Sequence, residues 1–150
     1  MYDIALSLHN ILRWLVLAAA LYAVARAFMG WLGRQPWTPA SAGPGRVFTI
    51  AMDVQFLLGI LLYGMLSPVT RRAFADFGAA MRDRDLRFFA VEHALMMVLA
   101  LVFAHVGKAL APKGADDAAR YRRAALWYGL SLVLILLAMP WARPLFRLGA

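Results

Sequence analysis

Four long apolar runs, separated by short polar stretches, most constrain what this chain can become. The runs cover 4–28, 47–66, 88–110 and 124–141. A hydrocarbon core of ~30 Å takes roughly 20 helical residues to cross, and each run is close to that length or beyond it. Inside lipid the backbone amides must bond within their own segment, so each run is expected to be a helix. The expected fold class is therefore all-α: a four-transmembrane-helix bundle forming one integral membrane domain over 1–150, whose partner is the lipid bilayer. Composition agrees, with 63% hydrophobic residues, 16% charged and a mean hydropathy of +0.66, values unlike those of a soluble domain. The first run holds His9 and Arg13 and has no small-residue cleavage site after it, so it reads as a retained span and not a signal peptide.

If the N-terminal end defines side A, the four spans alternate and both termini return to side A. Side B then carries the loop 30–46, with Pro36, Pro39 and Pro44, and the loop 111–123, where Asp116 and Asp117 suit the start of a new helix. Side A carries 67–87. There Ala73, Phe74, Phe77 and Met81 recur at helical spacing among arginines, predicting a short interfacial helix. The Lys and Arg count at the two sides, span ends included, is nearly even. Side A has Arg71, Arg72, Arg82, Arg84, Arg87, Arg143 and Arg147; side B has Arg26, Arg34, Arg46, Lys108, Lys113, Arg120, Arg122 and Arg123. The first span decides the orientation, with Asp3 before it and Arg26 and Arg34 after it, which puts side B in the cytoplasm and the termini outside. The net charge of +8 is carried by these flanking residues and forms no aromatic-interleaved groove, so nucleic acid is not an expected partner.

There are no cysteines, which excludes disulfides, thiolate metal sites and iron–sulfur clusters. Any metal must then use His, Met, Asp or Glu. Ionisable groups within the spans are the place to look, because lipid makes them costly. At 1.5 Å per residue, His9 and His93 each lie about 7 to 8 Å below the side A start of their spans. Two imidazoles at one level on facing helices are what a bis-histidine haem b requires. Gly59 and Gly64 in the second span would let a flat ring approach. Arg13, one turn below His9, and Arg87, at the head of the third span, are the candidate propionate partners. Two other readings of the same residues stand beside this one. His9, Arg13, Glu92 and His93 could form a structural polar cluster with Arg13 and Glu92 as its ion pair, or Glu92, His93 and Met96 or Met97 could hold a non-haem metal.

A second polar set lies toward side B, where Asp53 and His105 sit at similar depth and Gln55 follows. It reads either as a quinone or proton-transfer site or as helix packing with an interfacial histidine.

The segments His9-Asn10-Ile11-Leu12-Arg13-Trp14, Gln55-Phe56-Leu57-Leu58-Gly59, Arg87-Phe88-Phe89-Ala90-Val91-Glu92-His93 and Pro140-Trp141, in this order and spacing, resemble a family of small four-span bacterial membrane proteins that carry the label cytochrome b or cytochrome b-like. The resemblance spans nearly the whole chain. It implies a cytochrome-like bundle in a bacterial inner membrane and raises the priority of His9 and His93. The family pattern often places a histidine two positions before the second-span glutamine, where this chain has Asp53. The expectation is thus a membrane b-type cytochrome with haem iron on His9 and His93, passing single electrons between a quinol and a partner protein in a redox assembly. Its rival is a haem-free accessory subunit of a larger respiratory or photosynthetic complex, whose buried polar groups serve helix packing. An ion or small-molecule carrier is a third class and would need a hydrated path through the bundle.

Overall fold

A computed structural model describes residues 1–141. Every element in them is helical. Helix α1 spans Tyr2–Leu32, α2 spans Gly43–Leu61, α6 spans His93–Leu110 and α7 spans Asp117–Ala138. Between α2 and α6 lie three short helices: α3 at Pro68–Ala75, α4 at Phe77–Ala80 and α5 at Arg84–Arg87. With their flanking turns, the long helices give four stretches apolar and long enough to cross a bilayer: Tyr2–Leu32, Pro39–Leu66, Arg84–Lys113 and Asp117–Ala138. The chain is a multi-pass membrane protein built as an all-α four-helix bundle. Arg143 and Arg147, counted above among the side A flanks, lie outside the described residues.

The boundaries follow local chemistry. Ser67 caps α3 by accepting from the Val69 amide at 3.2 Å, with Pro68 at the first helical position. The short helix expected from Ala73 to Met81 is interrupted at Asp76, and a further helix starts at Asp83. Asp76 accepts from the Ala79 amide at 2.8 Å and Asp83 from the amides of Asp85 and Leu86, both at 2.9 Å, so each aspartate starts a new helix. Asp116 caps α7 in the same way through the Ala119 amide at 2.7 Å. The fourth apolar run was expected to reach residue 141, yet α7 stops at Ala138. Pro140 has no amide hydrogen and disfavours helical geometry in the residue before it, and Met139 is extended, with ψ 126°.

The order around the bundle is α1, α2, α6, α7, each helix packed on the next. The side B half is closed by small residues: Ala20, Ala23 and Ala27 on α1, Ala100 and Ala104 on α6, Ala124 and Ala125 on α7. Into this frame α7 inserts Tyr128, whose ring meets Phe48 edge-on at 5.9 Å. Gly107 and Gly45 make the space. A Cβ on Gly107 would stand 2.7 Å from the Tyr128 ring and 2.9 Å from Trp127, and one on Gly45 would collide with the Tyr128 hydroxyl. Ser131, fully buried, donates to the Ala100 carbonyl at 2.7 Å, a cross-helix bond of the kind that holds membrane helices together.

Two helical stretches are wound more loosely than α. Leu62–Leu66 continues α2, and Phe88–Glu92 leads into α6, both as π-turns. Such turns displace carbonyls from their usual partners. The Tyr63 hydroxyl donates to the Ala90 carbonyl at 2.6 Å, linking the two turns, and the Thr70 hydroxyl donates to the Tyr63 carbonyl at 2.8 Å.

Gly45→Ala should lower the unfolding free energy by about 1 to 3 kcal/mol, the usual cost of overpacking. Adding Tyr128→Phe, which removes the hydroxyl that the new methyl meets, should restore part of the loss. Thermal unfolding of the single and double variants in detergent measures both effects, and equal loss in the two would rule out this packing account.

Candidate functional site

A cavity of about 570 Å³ opens in the side A half of the bundle, between α1, α2, α6 and the end of α7. That volume falls within the roughly 300–1,000 Å³ typical of small-molecule and cofactor sites. Its walls are mostly apolar, with His9, Asn10, Arg13, Gln55 and His93 facing one another across it. Asn10, Arg13 and Gln55 are buried despite their polarity.

His9 and His93 come from helices that both descend from side A, and their rings stand 6.4 Å apart, centre to centre, at 71°. Two imidazoles on opposite sides of one iron need about that spacing, from roughly 2 Å for each metal–nitrogen bond and about 1 Å from nitrogen to ring centre. Nδ1 of His93 lies 2.8 Å from the Ala138 carbonyl, which can only accept. Nδ1 therefore carries the hydrogen, as it does in a histidine that ligates a metal through Nε2. Gly59 sits against His9. A Cβ there would lie 3.5 Å from His9 Cε1, while Gly64, also in the wall, has open space beside it. The donor set and the cavity therefore fit a haem.

The end of α7 organises this half. The last carbonyls of a helix have no partner within it; His93 takes up that of Ala138, and just beyond the helix Arg13 Nη1 donates to the Pro140 carbonyl at 3.3 Å. A cation at that position also meets the negative end of the helix dipole. The Arg13 guanidinium stands 5.5 Å from the Trp14 ring, which in turn meets Trp141 edge-on at 6.2 Å.

Arg87 is placed differently from its expected role. It lies outside the cavity lining and pairs with Glu92, Nε to Oε1 at 2.7 Å. In an α-helix residues five apart point well away from each other. The π-turn between these two, with its five-residue register, returns them to one face. The Arg13–Glu92 pair of the structural-cluster reading is thus replaced by Arg87–Glu92. Among the described residues no group of three or more His, Cys, Asp or Glu side chains could hold a metal ion unaided.

Gln55 also changes company. It was grouped with Asp53 and His105, but positions two apart on a helix face different ways. Its carboxamide turns into the cavity, where Nε2 donates to the His9 carbonyl at 3.0 Å. Oε1 of Gln55 is buried and accepts nothing from the described residues. Asp53 and His105 do meet, Oδ1 to Nε2 at 2.8 Å, outside the cavity.

Tyr63 shares a face of the second span with Gln55 and Gly59, at i+8 and i+4, but its hydrogen bond to Ala90 has no counterpart in the sequence pattern. No sequence signal marks the π-turns, so its bond to Ala90 could not be anticipated. Tyr63→Phe should lower the unfolding free energy by about 1 kcal/mol, the worth of one hydrogen bond, and should raise amide exchange around Phe88–Glu92 while leaving α7 unchanged. Exchange measured by mass spectrometry reads this directly. No protein-family model, no curated protein and no solved structure matches the chain, so the chemistry of the cavity is argued from its own residues.

Proposed function

We propose that this protein is a b-type cytochrome of the bacterial inner membrane, holding haem b between His9 and His93 and passing single electrons between a quinol and a partner protein. One observation carries the reading. Two histidines face each other 6.4 Å apart across an apolar cavity, and one of them already donates its Nδ1 hydrogen to a backbone carbonyl. Bound haem would supply an iron that changes charge by one electron without making or breaking a covalent bond in the protein.

The chain's own residues do the rest. His93 is fixed in orientation by Ala138, which presents Nε2 as the ligating atom. His9 is positioned through its backbone, because Gln55 on α2 grips its carbonyl and sets the height and rotation of α1 at that turn. Arg13, buried and cationic at the cavity wall, is the propionate partner. The apolar walls, among them Val16, Met52, Phe56 and Ile135, exclude water and keep the local dielectric low, which favours electron transfer with little reorganisation. Arg87 takes no part in this scheme, since Glu92 holds it.

The protein expressed with haem supply and purified in detergent should be red, with a Soret band and an α-band that sharpen on reduction by dithionite. His9→Ala and His93→Ala should each abolish the low-spin spectrum, and Gln55→Leu should keep it with a displaced reduction potential. A colourless wild type at full haem supply overturns the proposal and leaves the cavity polar groups to helix packing, as in the accessory-subunit reading.

A further inference from the structure

The Asp53–His105 pair lies outside the cavity and has no part in the haem site proposed above. Counted from the side B ends of their apolar runs at Val47 and Leu110, Asp53 lies about 9 Å deep and His105 about 7 to 8 Å deep. Both are therefore within the hydrocarbon layer, below the phospholipid headgroups. Yet neither is enclosed by the bundle, for their side chains are 47% and 42% exposed. On the same faces, one or two turns away, Ile50 and Leu57 on α2 and Val98 and Val102 on α6 are also exposed. The pair thus sits in an apolar seam between α2 and α6 that looks out onto lipid. It continues the line of the cavity toward side B, where Met52 and Val98 form the cavity's last walls.

The hydrogen bonding of the pair is directional. An ionised Asp53 has no hydrogen to give, so Nε2 of His105 carries it and donates to Oδ1 at 2.8 Å. In the neutral imidazole Nδ1 is then an acceptor, and it makes no hydrogen bond to any described residue. An oriented imidazole with a carboxylate behind it is the arrangement that takes hydrogen from a hydroxyl. The molecule able to meet it must be dissolved in the hydrocarbon phase, carry an O–H donor on a compact head, and have an apolar body to lie along Ile50, Val98 and Val102.

We propose that the Asp53–His105 pair in the α2–α6 seam is the docking site for a lipid-dissolved hydroquinone, whose hydroxyl donates to Nδ1 of His105 while Asp53 holds the ring from behind. The proposal deepens the quinol-linked reading above and rests on it for its purpose, but docking itself needs no haem. The polarity of the bond gives the site a preference: a hydroquinone can donate to Nδ1, and its quinone or its ether cannot.

The test is nitrogen NMR of histidine-labelled full-length protein in micelles, titrated with a decyl-chain hydroquinone and, in parallel, with its dimethyl ether. The ring resonances of His105 should move saturably with the hydroquinone and stay still with the ether. Asp53→Asn should weaken binding about tenfold by removing the charge behind the ring, and His105→Phe should abolish it. No movement, equal movement with the ether, or full binding by His105→Phe overturns the site. Should His105→Phe fail to fold, the hydroquinone and ether pair on the wild type still decides the question. A red protein that binds no hydroquinone defeats this proposal alone, whereas a colourless protein that binds it defeats only the haem.

Discussion

The open carbonyls at the end of α7 are the constraint on which the side A half depends. Pro140 forces the helix to stop while it is still among its neighbours, and the terminal carbonyls must be bonded within an apolar surrounding. His93 from α6 bonds the Ala138 carbonyl, Trp141 bonds that of Leu136, and Arg13 from α1 bonds the Pro140 carbonyl just beyond the helix. A single helix end thereby fixes the tautomer of one histidine and the position of one buried cation. It also joins α1, α6 and α7 at the level where Gln55 ties α2 to His9. Four helices are registered by three side-chain bonds, and the cavity is what remains between them.

The side B half is held by a different principle. There the helices approach through alanine and glycine, and Tyr128, the large group packed on Phe48, enters the space that Gly45 and Gly107 leave. Between membrane helices the drive is close packing and not water exclusion, which makes small residues the effective ones. Small residues at one end and facing polar side chains at the other leave the same four helices tight at side B and hollow at side A.

Much of this was legible from the residues alone. Apolar run length gave the four spans, and counting depth along each run brought His9 to the level of His93 and Asp53 to that of His105. Depth is not azimuth, however. Gln55 shares its stretch of helix with Asp53 but points elsewhere, and only the rotation of α2 in the bundle decides that. Arg87 was misjudged for another reason, because its pairing with Glu92 exists only through the looser winding of Phe88–Glu92. Nothing in the sequence announces that winding. The helix expected from Ala73 to Met81 breaks at Asp76, because aspartate is a good helix starter and its capping bond outweighs the apolar spacing.

The facing π-turns have a mechanical consequence. Each places one extra residue in its coil and so offsets the rotation of everything beyond it on that helix. If only α2 carried one, the side A end of α2 would fall out of step with α6; because Leu62–Leu66 and Phe88–Glu92 both do, the offset is shared and Tyr63 locks it across the seam. An inserted residue in a helix is ordinarily a fault that the rest of the fold must tolerate. Here a matched pair acts as a spacer, setting the rotation of two neighbouring helix ends together, with Tyr63 as the pin between them.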